Sequence, residues 1–543
     1  DRPACILLTG ETASGKSCLV SQVVLHSLDE EVVPIVIKVQ QLHRNLLAEP
    51  ASFMASWNWV DAHLRIQHAA DAYYCMLRQA MMARRAVLFL DGLDEGGRKR
   101  GEIEQHVTEV LARQGLTMLV TSRPSDIDES LFLQFQRLSV LPLTEAQQLQ
   151  AMEQRLGTTQ AADLLAYLRD QMPFEPESKL RITSNPFVLS VMASMFETKR
   201  GQMPTTTWEL FSAASQSMLQ HACANESQIV EITQLLQAAF FQAHGEQLRV
   251  ITELQLEAAA ERLNTRARKH RGEEALELFT ELISQDRLPL ISILSVQPLA
   301  VQAPHLIFQE FFAVKAISEG ASLPDRSSRP WEWSAWWRNA VKLGTELGDS
   351  FSGGLVHASG VEGGALNVSS KLPRALAGRQ ERETAVRALS LLLQQSITSV
   401  DLSENSISAS EAKIIGEALR NSSSLVSVDL FINELGPKGG KSIADGIGFS
   451  RSLTQVNLSW NQLGAEGGRA VAEGLAKSSS LTTIYLNNNN LGTQGGKAIA
   501  KGVARAASLT SIDLRANKLD AVTKDRLKRA RGPNPRLTLV KRL

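Results

Sequence analysis

Residues 5–27 read CILLTGETASGKSCLVSQVVLHS. An apolar run, Cys5-Ile6-Leu7-Leu8, gives way to Gly10-Glu11-Thr12-Ala13-Ser14-Gly15-Lys16-Ser17, and a helical pattern follows. A strand, a loop bracketed by glycines and a helix start, in that order, match the G-x-x-x-x-G-K-[ST] phosphate-binding loop. Glycine lets the loop curl so that backbone N–H groups face a phosphate, and the helix N-terminus adds its dipole. Lys16 is then the contact to the β- and γ-phosphates, and Ser17 is a Mg²⁺ ligand. The plain alternative is a glycine-rich turn with no ligand.

Outward from this loop, apolar runs recur at Val33 to Ile37, Ala86 to Leu90, Thr117 to Val120 and Leu138 to Leu141, separated by helical patterns. Strands alternating with helices predict an α/β domain with a parallel sheet, whose strands are buried on both faces and so read as continuously apolar. Two of the runs end in chemistry. Leu88-Phe89-Leu90-Asp91-Gly92-Leu93-Asp94-Glu95 puts three acids at a strand tip. Carboxylates there can hold Mg²⁺ and orient an attacking water; a solvated acidic turn is the alternative. Thr121-Ser122-Arg123-Pro124 puts an arginine at the next tip, where it can read a γ-phosphate. Away from a phosphate site it would be a surface residue.

Residues 144 to about 320 read mostly as helix, with Thr144 and Gln147 spaced as a capping box and Leu288 to Val301 as a small wing of strands. Trp331, Trp333, Trp336 and Trp337 then suggest a helix packing its indoles onto a neighbouring domain, or else a partner surface. The Gly- and Ser-rich residues 344–378 suggest a flexible connector. From residue 397 the chain repeats every 28 residues: Leu402, Leu430, Leu458, Leu486 and Leu514 form one column, and Asn405, Asn433, Asn461, Asn489 and Asn517 another. This is the leucine-rich-repeat pattern, a solenoid of short strands and outer helices in which each asparagine is a buried ladder residue. Its concave face would carry Asp401, Ser403, Asp429, Phe431, Asn457, Ser459, Tyr485, Asn487, Asp513 and Arg515, with Trp460 at the edge. Phe431, Trp460, Tyr485 and Arg515 are candidate anchors for a protein or peptide, or cover for neighbouring strands. "RLTLVKRL" at the end reads as a shortened capping strand, and the nine basic residues from Lys518 onward as a solvated cap before an anionic site.

Composition narrows the function classes. Lys plus Arg is 57 and Asp plus Glu is 57, so no bulk charge favours nucleic acid. Four scattered cysteines offer neither a disulfide framework nor a zinc-spaced pair, which predicts a reducing, cytoplasmic setting. No apolar run reaches membrane-spanning length. The chain opens on Asp1 instead of Met, which predicts a further segment ahead of it.

The phosphate loop, the D-G-x-D-E strand and the T-S-R-P strand together resemble the NACHT group of STAND ATPases. Asn185-Pro186-Phe187-Val188-Leu189 looks like the N-P motif of that group's helical domain, residues 204–219 like the opening of its winged helix, and His305-Leu306-Ile307-Phe308-Gln309-Glu310-Phe311-Phe312-Ala313 like its H-x-x-F-Q-E-F run. With C-terminal repeats of the ribonuclease-inhibitor type, the whole resembles a NOD-like receptor. The resemblance implies a P-loop nucleotide-binding domain (1–142), a helical domain (143–203), a winged helix (204–320), a Trp-rich helix with connector (321–395) and repeats (396–543). It also implies bound ATP or ADP with Mg²⁺: Gly10 to Ser17 on the phosphates, Asp91 on the metal with Ser17, Asp94 and Glu95 on the attacking water, and Arg123 as γ-phosphate sensor. Pro186 would lie near the adenine and His305 at the β-phosphate of ADP. Thr12, Ala13 and Cys18 depart from the family's usual loop. The implied function is a slow ATPase switch that senses a ligand through its repeats and self-associates on exchange of ADP for ATP. A scaffold with a degenerate nucleotide site and, less so, a metabolic P-loop kinase are the alternatives.

Overall fold

The computed structural model describes residues 4–10, 14–27, 32–68, 72–124, 127–128, 130–171, 181–198, 203–264, 270–296, 298–324, 328–361, 363–374, 379–530 and 538–539. The chain divides into two compact units, Asp1–Ala313 and Val314–Leu543.

In the N-terminal unit, β1 (Cys5–Thr9), β2 (Val33–Lys38), β3 (Ala86–Asp91), β4 (Thr117–Ser122) and β5 (Gln136–Ser139) form one sheet in the order β2-β3-β4-β1-β5. Every pairing is parallel. The central strands are apolar because both faces are covered: Leu7, Leu88, Phe89 and Val120 are all buried. The order puts the C-terminal tips of β1, β3 and β4 side by side, so the segments that follow them converge, as ligand-binding segments do in open parallel sheets. The edge strand β5 starts two residues before the apolar run that marked it and is exposed along its length. An edge strand with one open side carries no continuous apolar code, so its register is poorly marked in sequence.

Helices follow. Glu145–Leu156 begins with the expected capping box: Gln147 N donates to Thr144 Oγ1 at 3.3 Å, and Thr144 N donates to Gln147 Oε1 at 2.9 Å. Beyond Pro186–Thr198 come Thr207–Ala222, Glu226–Gly245, Glu253–Glu261 and Arg271–Ser284. The expected wing forms as β7 (Ser292–Val296) and β8 (Leu299–Gln302), and β6 (Ile251–Thr252), outside the stretch that marked it, joins them in the antiparallel order β6-β8-β7. The helix Leu306–Ser318 follows it.

The C-terminal unit corrects two expectations. Instead of one continuous helix there are two single turns of 3₁₀ helix, Pro330–Glu332 carrying Trp331 and Ala335–Trp337 carrying Trp336 and Trp337, with Trp333 in extended backbone between them. Their indoles are core: all four are buried, and Trp333 and Trp337 stack with centroids 4.0 Å apart. The Gly- and Ser-rich stretch is no flexible connector, since it contains the helix Asp349–Ser359 and the strand β9 (Ala365–Asn367). Its glycines serve close approach. A Cβ on Gly354 would lie 1.9 Å from the carbonyl oxygen of Ile317, and one on Gly344 would lie 2.2 Å from the Phe351 ring.

The repeats supply β10 (Ser399–Asp401), β11 (Ser427–Asp429), β12 (Gln455–Asn457), β13 (Thr483–Tyr485) and β14 (Ser511–Asp513). With β9 ahead of them and β15 (Thr538–Leu539) after them they make a seven-stranded sheet, parallel throughout. β15 is where the shortened capping strand was expected. The asparagines form the expected ladder. Asn461 Nδ2 donates to the carbonyls of Leu430 (2.7 Å), Leu458 (3.1 Å) and Ser459 (3.1 Å), while Asn489 Oδ1 accepts from Asn461 N at 3.0 Å. Helices such as Gly436–Phe449 and Gly464–Lys477 back the sheet. A Cβ at Gly446, Gly474 or Gly502 would lie 2.5 Å from a carbonyl oxygen of the preceding helix. This glycine column is what lets one repeat sit so close to the next.

Candidate functional site

β1 delivers the chain to Gly10, whose N–H donates to Ser122 O at 3.2 Å, tying the start of the phosphate loop to the tip of β4. Gly15 has φ +95°, a conformation open to glycine at no cost, and its Cβ side faces empty space. Lys16 begins the helix Lys16–Ser27, and its Nζ donates back to Gly10 O at 2.7 Å. Ser14 Oγ is buried with no hydrogen-bond partner among the described residues. Glu11, Thr12 and Ala13 lie outside the described residues.

The acids are held from neighbouring strands. Thr121 Oγ1 donates to Asp91 Oδ1 at 2.6 Å and accepts from Gly92 N at 2.8 Å, so the tip of β4 fixes the tip of β3. Asp94 and Glu95 lie on the single 3₁₀ turn Leu93–Glu95, which the buried Leu93 side chain anchors. Each meets an arginine. Arg123 Nε is 2.9 Å from Asp94 Oδ2, and its Nη1 is 3.5 Å from Oε1 of Glu310, a fully buried residue of Leu306–Ser318. Arg249 Nε is 3.5 Å from Glu95 Oε1, and Arg249 Nη2 donates to Ala303 O at 3.0 Å. Burial raises the Glu95 carboxyl above the ordinary carboxylate range; Arg249 opposes this, and Asp94 and Asp91 add to it.

The N-P motif has a local physical reason. Asn185 Oδ1 accepts from Phe187 N (3.0 Å) and Val188 N (3.3 Å), capping the helix Pro186–Thr198, and proline follows where its missing N–H costs nothing. Phe187 packs on His305, ring centroids 4.3 Å apart, and on Phe211 and Phe308. This cluster joins the start of Pro186–Thr198 to the start of Leu306–Ser318. Burial, and secondarily Arg249, lowers the His305 pKa.

These parts share one cavity of about 480 Å³. Its walls include Ser14, Gly15, Lys16, Ser17, Asp91, Asp94, Glu95, Arg123, Pro186 and His305; Gly10 stands behind them as the acceptor for Lys16. Sequence reasoning missed Lys38, Gln40, Arg249 and Gln302 on the same walls. Lys38 was legible in principle: it ends the apolar β2 run in register with Asp91. Arg249 had no such signal, because its partners are far away in sequence.

The donor set suits an anion. Lys16, Lys38, Arg123 and Arg249 all border the cavity, and the Ser14 hydroxyl and the Gly15 turn leave a polar, Cβ-free cradle at the helix N-terminus. Among the described residues no group of three or more His, Cys, Asp or Glu is placed to hold a metal ion. A Mg²⁺ here would therefore rest on Ser17 and Asp91 with phosphate and water oxygens completing its shell, the usual economy of Mg²⁺ sites.

On the repeat sheet, Asp401, Asp429, Asn457 and Asp513 each accept the N–H two residues on, so much of their polarity serves the turn. Arg515 is paired with Asp513 at 2.6 Å. Phe431 and Tyr485 are half-buried, whereas Trp460 is 52% exposed. No helix of the described residues is long and apolar enough to cross a membrane, and all four cysteines are free.

A family profile described as Leucine Rich repeat matches residues 421–444, 449–472 and 477–500. No curated protein matches the chain. Among solved structures, a Signal Transduction ATPase with Numerous Domains (STAND) protein with a tetratricopeptide repeat sensor, from Pyrococcus horikoshii, is similar at 11% identity and a TM-score of 0.33 over 82% of this chain and 53% of that one. Cdc6p from Pyrobaculum aerophilum is similar at 11% identity and a TM-score of 0.25 over 58% of this chain and 89% of that one. The chain thus spans about half the length of the first of these. At this level of likeness, the fold rests on the strand order and register of the chain itself: a parallel α/β sheet, helices with a small antiparallel wing, and a leucine-rich-repeat solenoid.

Proposed function

We propose that the protein is a nucleotide-controlled signalling switch of the NOD-like receptor type, a NACHT-group STAND ATPase whose repeats sense a ligand. The observation that supports this most is the convergence of Lys16, Ser17, Asp91, Arg123, Pro186 and His305, drawn from segments far apart in sequence, on one cavity. Gly10 to Ser17 would cradle the phosphates of ATP or ADP, with Lys16 on the terminal phosphates. Ser17 and Asp91 would hold Mg²⁺, which when bound neutralises phosphate charge. Asp94 and Glu95 would orient water for slow hydrolysis, Arg123 would sense the γ-phosphate, Pro186 would pack near the base, and His305 would touch the β-phosphate of ADP.

In the described arrangement Asp94 and Glu95 are each engaged by an arginine, and Arg123 is shared between Asp94 and Glu310. This suits a resting state: neither acid is free to act on water, and Arg123 is tied to the winged-helix segment. A γ-phosphate that competes for Arg123 would loosen that tie. Moving a two-state equilibrium from 1:99 to 99:1 takes about 5.5 kcal/mol. One new charge-assisted hydrogen bond contributes about 1.5–3 kcal/mol, so the ligand of the repeats supplies the rest. Trp460, with Phe431, Tyr485 and Arg515, would anchor that protein or peptide ligand. The domain divisions at 142, 203, 320 and 395, the self-associating active state and the cytoplasmic setting belong to the same proposal.

The test is to identify nucleotide retained on purified protein and to follow particle mass by light scattering after exchange to ATP. Retained ADP and growth in mass on exchange support the switch. Stable binding of neither nucleotide would leave the scaffold reading, with the repeats as the working part. Turnover on a small-molecule phosphate acceptor would favour the kinase.

A further inference from the structure

We infer that Arg249, in the segment leading into β6, is a ligand for the terminal phosphate of the bound nucleotide, so that the winged-helix side of the cavity reads the phosphate tail directly. This rests on the nucleotide reading above.

Arg249 lines the cavity that holds Lys16 and Ser17. Its side chain is 5% exposed, and its Nη1 has no hydrogen-bond partner among the described residues. A guanidinium carries five donors in a planar fork that fits phosphate or carboxylate in bidentate fashion. Here one arm is spent on Ala303 O at 3.0 Å, and Nε stands 3.5 Å from Glu95 Oε1. A bidentate Arg–Glu pair places two arms on both carboxylate oxygens; this pair leaves Nη1 buried and unused on a residue that lines the cavity. Burying a charged donor without an acceptor is expensive, so the site is incomplete without a further anion.

The charge balance agrees. Arg123 is matched by two carboxylates, Asp94 and Glu310. Arg249 has Glu95 as its close ion-pair partner at 3.5 Å, with Glu310 acting on it from further off, and the Glu95 carboxyl is itself raised by burial. Of the two buried arginines, Arg249 is the under-compensated one. Ala303 follows β8 directly, and Arg249 lies two residues ahead of β6. Ligation of phosphate by Arg249 therefore couples the phosphate loop to the base of the wing.

Calorimetric titration of the full chain with ATP, ADP and AMP tests this, using Arg249→Gln, Arg249→Lys, Glu95→Gln and Lys16→Ala. Arg249→Gln should lose about ten-fold or more in affinity for ADP and ATP, the effect of one charge-assisted hydrogen bond, while AMP, which lacks a β-phosphate, is unaffected. Arg249→Lys should recover part of the loss. Glu95→Gln removes the competing carboxylate and should tighten ADP several-fold, an effect a purely structural pair would not produce. If Arg249→Gln and Glu95→Gln both leave ADP and ATP within two-fold of wild type while Lys16→Ala removes binding, the inference falls and the nucleotide reading stands. If the wild-type chain binds none of the three nucleotides, the nucleotide reading itself falls. Should Arg249→Gln fail to fold, Arg249→Lys and Glu95→Gln decide the question.

Discussion

The repeat array and the cavity of the N-terminal unit treat buried polar groups in opposite ways. In the array nearly every buried polar side-chain atom is satisfied from within; among the described repeats the exceptions are Asn461 Oδ1 and Thr523 Oγ1. Around the cavity Ser14 Oγ, Gln40 Oε1, Asp94 Oδ1, Gln302 Oε1 and Arg249 Nη1 all lack partners among the described residues. The array uses its polar groups to close its own backbone. The cavity holds its polar groups in reserve, which natural folds tolerate where a ligand completes them.

Acid should separate the two regions most sharply. Burial lowers the pKa of His63 to about 4 and that of His244 to about 3, and Arg44 and His68 act in the same direction on His63, as Arg123 and Arg249 do on His244. Both depressed values mean stability that is fully present above the unfolded pKa of about 6.5 and is lost as pH falls toward the folded value. At pH 5 each costs the N-terminal unit about 2 kcal/mol. Glu95 works the other way, since a raised carboxyl favours the folded state as pH falls, and offsets a little of this. From residue 396 on the sequence has no histidine. Hydrogen exchange at pH 7 and pH 5, corrected for intrinsic rates, should show protection falling around β1 to β4 and holding in β10 to β14. Equal loss in both regions would break the contrast.

Two substitutions sharpen it from either side. Asn461→Ala removes the three contacts that Asn461 Nδ2 makes to the carbonyls of Leu430, Leu458 and Ser459 inside the array, leaving each carbonyl with one remaining donor: Asn433 Nδ2, Asn489 Nδ2 and Ile432 N. The expected loss is about 3 kcal/mol, read from the urea midpoint of the array, with ADP affinity unchanged. Lys16→Ala should do the converse: at least about 100-fold weaker ATP and ADP binding in a titration, with the urea midpoint of the array unmoved. A midpoint shift with Lys16→Ala, or lost ADP affinity with Asn461→Ala, would mean that the division of labour is wrong.

The same difference explains what could be read in the sequence. The array is written in columns: its strands and ladder asparagines recur five times at a 28-residue spacing and its helix-packing glycines three times, so the same contacts are stated repeatedly. In the N-terminal unit β1 to β4 were legible because each is an apolar run ending in a charged or hydroxyl residue, and residues of the short motifs, Lys16, Asp91, Arg123, Pro186 and His305 among them, line one cavity. Arg249 and Glu310 were not legible as partners of Glu95 and Arg123, because those pairs span more than 150 residues and depend on how helices pack. The connector was misread for a different reason. Composition cannot tell a glycine that confers freedom from one, like Gly354, that removes a clash.

The smallest effect expected concerns the rim of the array. Glu404, Ile432, Trp460, Asn488 and Ala516 occupy the same turn position in successive repeats, and all have φ between +50° and +58° or at +60°. The fold imposes this left-handed backbone, which asparagine accepts readily and which costs a bulky or β-branched side chain about 1 kcal/mol. Trp460 and Ile432 bear that cost while also being 52% and 42% exposed. Their exposure leaves both side chains accessible to the ligand proposed for the repeats. Trp460→Asn copies what Asn488 already does one repeat later, and it keeps the Trp460 N to Asn487 O bond, which is a backbone contact at 3.0 Å. It should raise the urea midpoint slightly, by about 0.5–1 kcal/mol, where the substitutions above lower it or leave it alone. Asn488→Trp should lower it by a similar amount. A loss of stability on Trp460→Asn would show that the indole packs on the array itself, and that tryptophan belongs with the satisfied interior instead of with the surface kept for a partner.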